Sequence, residues 1–94
     1  MSSTELLQEL ALATNDIEFA RASGNIAEMH ECKLRICEII GQMALAEDDP
    51  DRKAAYLTHK LRMSALLNAM IERENKKLLL GQGNTPQVRK LFNM

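Results

Sequence analysis

Between Pro50 and Gly81 the chain runs without a glycine or a proline, and this stretch constrains the fold more than any other feature. Neither of the residues that interrupt a helix is present, and apolar side chains recur at spacings of three and four. The pattern predicts a single helix over about residues 50 to 80, long enough to reach about 45 Å at 1.5 Å per residue. One stripe along it is Ala54, Leu57, Leu61, Ser64, Asn68, Ile71, Asn75 and Leu78. A second is Met63, Leu66, Leu67 and Met70, continued weakly by Leu79 and Leu80. Strands are disfavoured in the same chain, because valine occurs once, at Val88, and the only aromatics are Phe19, Tyr56 and Phe92.

Two further helices precede the long one. Ser2 with Glu5 three residues later has the form of a capping box, and Leu6, Leu10, Ala13, Ile17 and Ala20 then trace an apolar stripe. Gly24 stops this helix, with Arg21 favourably placed in its last turn. Asn25 and Glu28 repeat the capping pattern for a second helix, whose stripe is Met29, Cys32, Ile36, Ile39, Ile40 and Met43. "AEDDPDR" ends it, with Asp49 as the next cap and Pro50 at the first helical position. The expected fold class is therefore all-α, an antiparallel three-helix bundle with a long third helix. Its helices fall at about 3–22, 25–46 and 50–80, in a domain of residues 1–82. "GQGNTP" then breaks the third helix, and a short segment in 83–94 gathers Val88, Leu91 and Phe92 on one side of a final helical turn.

Composition narrows the function classes. The formal net charge is -1, with Lys and Arg read as scattered among acids, so a nucleic-acid footprint is not expected. "MSSTELLQEL" lacks the basic start of a signal peptide and no stretch approaches a membrane span, so a cytoplasmic protein is expected. Cys32 and Cys37, separated by about 140° on a helix, read as reduced thiols, and a metal site from His30, Glu31, Cys32 and His59 lacks paired ligand spacing. No phosphate loop, nucleophile elbow or His-Glu-x-x-His pattern occurs, and each histidine stands alone. Small helical chorismate mutases bring several cations together inside a bundle, whereas the first helix here offers only Arg21. An enzyme is not expected, and no cofactor or metal is implied.

The long helix is apolar over most of its circumference in the middle. That arc reads either as a broad core face or as a core face plus an exposed patch of the kind that marks protein interfaces. Methionines on such a surface adapt to varied partners. Asn68 and Asn75, seven apart, read as boundary or register residues or as hydrogen-bonding groups for a client helix.

The order of these elements resembles the FliT-type flagellar export chaperones. The features that carry it are the hairpin "LLQELALATNDIEFARASGNIAEMHECKLRICEIIGQM", the long helix ending "LLNAMIERENKKLLL", and the closing "GNTPQVRKLF". The resemblance implies a cytoplasmic chaperone that binds the C-terminal helix of the filament cap protein, prevents its premature assembly and delivers it to the export ATPase complex. Some members also restrain a flagellar transcription regulator. Carried onto this chain, it implies a client surface of Met63, Leu66, Leu67, Met70, Ile71 and Leu78, and a regulatory tail of Val88, Leu91 and Phe92 that covers it. Ile26 and Ala27 stand where the family often has an aromatic, and the closing segment is short. A cochaperone of an injectisome needle or translocator subunit is a related expectation. A homodimerisation or adaptor module using the second stripe on itself is the alternative from another class.

Overall fold

The computed structural model describes residues 3–83. Three helices make up this span: α1 (Ser3–Ser23), α2 (Ile26–Ala46) and α3 (Pro50–Gly83), with no strand among the described residues. The expected cap at Ser2 and the tail residues Val88, Leu91 and Phe92 lie outside the described residues.

Helix α1 ends in a Schellman motif. Gly24 takes φ +69°, its N–H donates to the Arg21 carbonyl at 3.1 Å, and the Asn25 N–H donates to the Ala20 carbonyl at 2.9 Å. Asn25 then caps α2, its Oδ1 accepting from the Glu28 N–H at 3.1 Å. The reciprocal half of the expected capping box is absent for a physical reason. The Asn25 N–H that Glu28 would have taken is already committed to Ala20, and the Glu28 carboxylate instead accepts weakly from the Cys32 thiol at 3.9 Å. At the second turn Asp49 behaves as its sequence predicts, with Oδ1 accepting from the Asp51 N–H at 3.1 Å just ahead of the helix that begins at Pro50.

The core lies around α2. Its buried side chains, Met29, Cys32, Ile36, Ile39, Ile40 and Ala44, cover a wide arc, and α1 and α3 each pack along it while touching one another little. From α1 the core takes Leu6, Ala13, Ile17 and Ala20; from α3 it takes only Leu67 and Ile71. The second helix, not the third, is therefore central. Its isoleucines, methionine and cysteine face two neighbours, whereas α3 faces one.

Helix α3 also presents a different stripe to the core from the longer of the two in its sequence. Tyr56, Lys60, Met63, Ser64, Leu67, Met70, Ile71 and Glu74 are the buried or half-buried positions, while Ala54, Leu57, Leu61, Asn68 and Asn75 are exposed. Two local features accommodate this choice. Gly41 on α2 leaves room for the Lys60 side chain, whose Nζ would lie 3.2 Å from a Cβ built there. The Lys33 Nζ donates to Asn68 Oδ1 at 2.8 Å across the same interface. Helix α3 runs through Gly81 and ends at Gly83, slightly beyond the predicted break. A glycine costs a helix about 1 kcal/mol relative to alanine, which an established helix can absorb. Among the described residues no helix is long and apolar enough to cross a membrane.

Candidate partner-binding surface

Of the six residues expected to form a client surface, four are used by the core. Leu67 and Ile71 are buried, 8% and 3% exposed, and Met63 and Met70 pack half-buried against the same cluster. Leu66 is 64% exposed and faces away from α2. Leu78 is partly exposed and lies over the α1–α2 turn, where a Cβ built on Gly24 would meet its Cδ2 at 3.4 Å. These six do not form one open groove. Leu67 and Ile71 sit on the arc turned to α2, and Leu66 lies about 100° around the helix from Leu67.

The exposed apolar side chains gather elsewhere. Leu57 and Leu61, one turn apart, stand on one flank of α3, and Leu57 shares a groove with Leu45 of α2, which is 80% exposed. Between the two helices runs a groove of about 410 Å³ lined by Glu38, Gly41, Gln42, Leu45, Leu57 and Lys60. A second depression of about 290 Å³, lined by Leu6, Gln42, Leu45 and Ala46, shares Gln42 and Leu45 with it. The rim of the α2–α3 groove carries one acid and one base, Glu38 and Lys60, neither with an ion-pair partner among the described residues. Apolar walls with unpaired rim charges are suited to receiving an amphipathic segment, and nothing in the groove resembles acid–base or nucleophilic machinery. Stripe spacing alone missed Leu45, because in sequence it is a lone leucine at the end of α2.

A third groove, also about 410 Å³, lies between α1 and α2 and is lined by Asp16, Phe19, Ala20, Ser23, Asn25 and Glu28. Phe19 is 78% exposed beside it, and Asp16 is ion-paired with Arg35 of α2. This reveals a charge arrangement that the near-zero net charge conceals. Helices α1 and α2 together carry seven acids and three bases, whereas α3 carries seven bases and three acids. The expectation of scattered cations fails at the level of helices.

Cys32 is buried and Cys37 half-buried, and both are free thiols. Burial pushes the Cys32 thiol above its ordinary pKa, with the neighbouring Glu28 charge adding in the same direction. No group of three or more His, Cys, Asp or Glu side chains among the described residues could hold a metal ion. Comparison with protein families, with characterised proteins and with solved structures finds no match for this chain.

Proposed function

We propose that the protein is a non-enzymatic helix-binding chaperone of the FliT type. Its client would be an amphipathic helical segment of a secreted flagellar subunit, the filament cap protein, or a related injectisome subunit. One observation carries the reading: the groove between α2 and α3 is walled by Leu45 and Leu57, 80% and 47% exposed, and Leu61, 73% exposed, extends the same flank of α3 one turn beyond it. The scaffold is an antiparallel bundle. Lys33 meets Asn68 while Gly41 meets Lys60, so residue numbers rise on α2 as they fall on α3.

The magnitude fixes what sort of binding to expect. The three exposures amount to roughly two whole leucine side chains, worth about 4 kcal/mol at about 25 cal/mol per Å². A client presenting matching apolar area roughly doubles that gross figure, and association then subtracts at least about 4 kcal/mol for lost freedom. The complex is weak, with a dissociation constant of about millimolar order or above. Transient holding of this kind fits a chaperone that must release its client to an export ATPase complex. In this reading the cytoplasm is the compartment, and the tail bearing Val88, Leu91 and Phe92 competes for the client surface.

A calorimetric titration of the cap protein's C-terminal segment tests the reading, using the full chain and a chain ending at Gly83. Saturable binding, tighter for the shorter chain, is expected. Absence of binding to both refutes the chaperone function, and equal affinity refutes the role of the tail.

A further inference from the structure

Two exposed seams of this molecule, on different helices, are complementary in both charge and apolar pattern. Along α1, Glu5, Glu9, Leu12, Asp16, Phe19 and Ser23 recur at alternating spacings of four and three. This is the heptad-like spacing of a helix edge that another helix can follow. Leu12 is 56% and Phe19 78% exposed on that edge, Glu28 of α2 adds acid beside it, and Arg35 of α2 pairs with Asp16 there. Along the outer flank of α3, His59, Arg62, Leu66, Ala69, Arg73 and Lys76 recur at spacings of three and four, all exposed, with Leu66 at 64%. Arg62, Arg73 and Lys76 form no ion pair among the described residues.

We infer that these seams bind each other between copies of the chain, the acidic edge of α1 in one protomer receiving the basic outer flank of α3 from a second. Each part has a physical counterpart. An acidic edge interrupted by Leu12 and Phe19 faces a basic edge interrupted by Leu66 and Ala69. In the antiparallel alignment that sets Leu12 on Leu66, Asp16 comes level with Arg62 and Phe19 with His59. Guanidinium groups and an exposed phenyl ring attract one another as well. The contact joins two different patches, so a bound pair still presents one seam of each kind at its ends. It also leaves the α2–α3 groove open, because Leu57, which lines that groove, and Leu66 stand about 180° apart around α3. The inference therefore stands independently of the chaperone reading.

The test is complementation between two blocked variants of the full chain. Phe19→Glu adds a like charge to the acidic edge and Arg73→Glu reverses one charge of the basic edge, the one level with Glu5. Both positions are exposed, so circular dichroism should show unchanged helicity and melting. In sedimentation velocity at low salt, the wild-type mass is expected to rise with concentration above the 10.6 kDa of one chain. Raising the salt to about 0.5 M should weaken the association about tenfold, as expected for a contact between exposed charges. Each variant alone should remain a monomer, and an equimolar mixture should form a complex of two chains, since the variants retain opposite halves of the contact. A monomeric wild type at all concentrations overturns the inference. So does an association that persists in either variant alone, or a mixture that stays monomeric.

Discussion

Leucine 67 and leucine 61 lie on the same helix six residues apart, and the structure assigns them opposite fates. Leu67 is 8% exposed within the core cluster, whereas Leu61 is 73% exposed. Replacing each by alanine removes the same atoms and changes helix propensity by the same small amount, so the difference between the variants isolates burial. Leu67→Ala should cost about 2–5 kcal/mol, from lost transfer free energy plus the cavity left between α2 and α3. Leu61→Ala should stay within about 0.5 kcal/mol of wild type. A domain of this length has roughly 5–14 kcal/mol of stability. The first variant thus forfeits a large part of it and should melt at least about 10 °C lower. Urea unfolding followed by circular dichroism at 222 nm, with a common m-value, measures both. Equal costs, or a larger cost for Leu61→Ala, would show that α3 presents its other stripe to α2.

Other perturbations probe separate parts of the account. Gly24→Ala should destabilise by about 1 kcal/mol or more, because φ +69° is a conformation in which a Cβ is strained, and thermal melting will register it. Asn25→Ala should cost about 1 kcal/mol through loss of the cap on the Glu28 N–H, readable in the same melts. Arg35→Ala should cost no more than about 1 kcal/mol, because both partners in its ion pair with Asp16 are 44–52% exposed; chemical denaturation at low and high salt should show little difference. The raised pKa of Cys32 carries a signed pH dependence. The folded state disfavours the thiolate, so this contribution is fully present below the unfolded thiol's pKa of about 8.5. It is lost as pH rises through that value toward the folded pKa. Stability measured against pH should therefore fall more steeply above about pH 8.5 in wild type than in Cys32→Ala.

Much of the architecture was legible from punctuation. Gly24, Asn25, Asp49 and Pro50 marked both turns, because the backbone conformation at Gly24, the side-chain acceptors of Asn25 and Asp49, and the missing N–H of proline act locally. The stripes of α1 and α2 were equally readable, since each helix has one dominant apolar face. What periodicity left undecided was which of two adjacent stripes on α3 meets α2. The longer one, through Leu57 and Leu61, was the more regular. The buried one contains Lys60 and Glu74, which a hydrophobic count rejects. Lys60 is tolerated there because Gly41 lacks a side chain and the ammonium can reach the surface over its alkyl stem. That pairing belongs to two helices at once and cannot be read from either alone. The exposed groove was missed for the same reason, since Leu45 joins Leu57 only after α2 and α3 are in register. The segregation of charge between α3 and the other two helices was present in the sequence all along, and a count made per helix would have found it.

The central claim is that the groove between α2 and α3, not the outer flank of α3, receives a client helix. Calorimetric titration of the cap protein's C-terminal segment into wild type, Leu57→Asp and Leu66→Asp tests it most directly, at a salt concentration that suppresses self-association. Both substituted leucines are exposed, at 47% and 64%, so neither change should unfold the protein. The account predicts saturable binding of about millimolar order or weaker to wild type, a loss of at least about tenfold in Leu57→Asp, and wild-type affinity in Leu66→Asp. Undiminished binding by Leu57→Asp, or no binding by the wild-type chain, would contradict it.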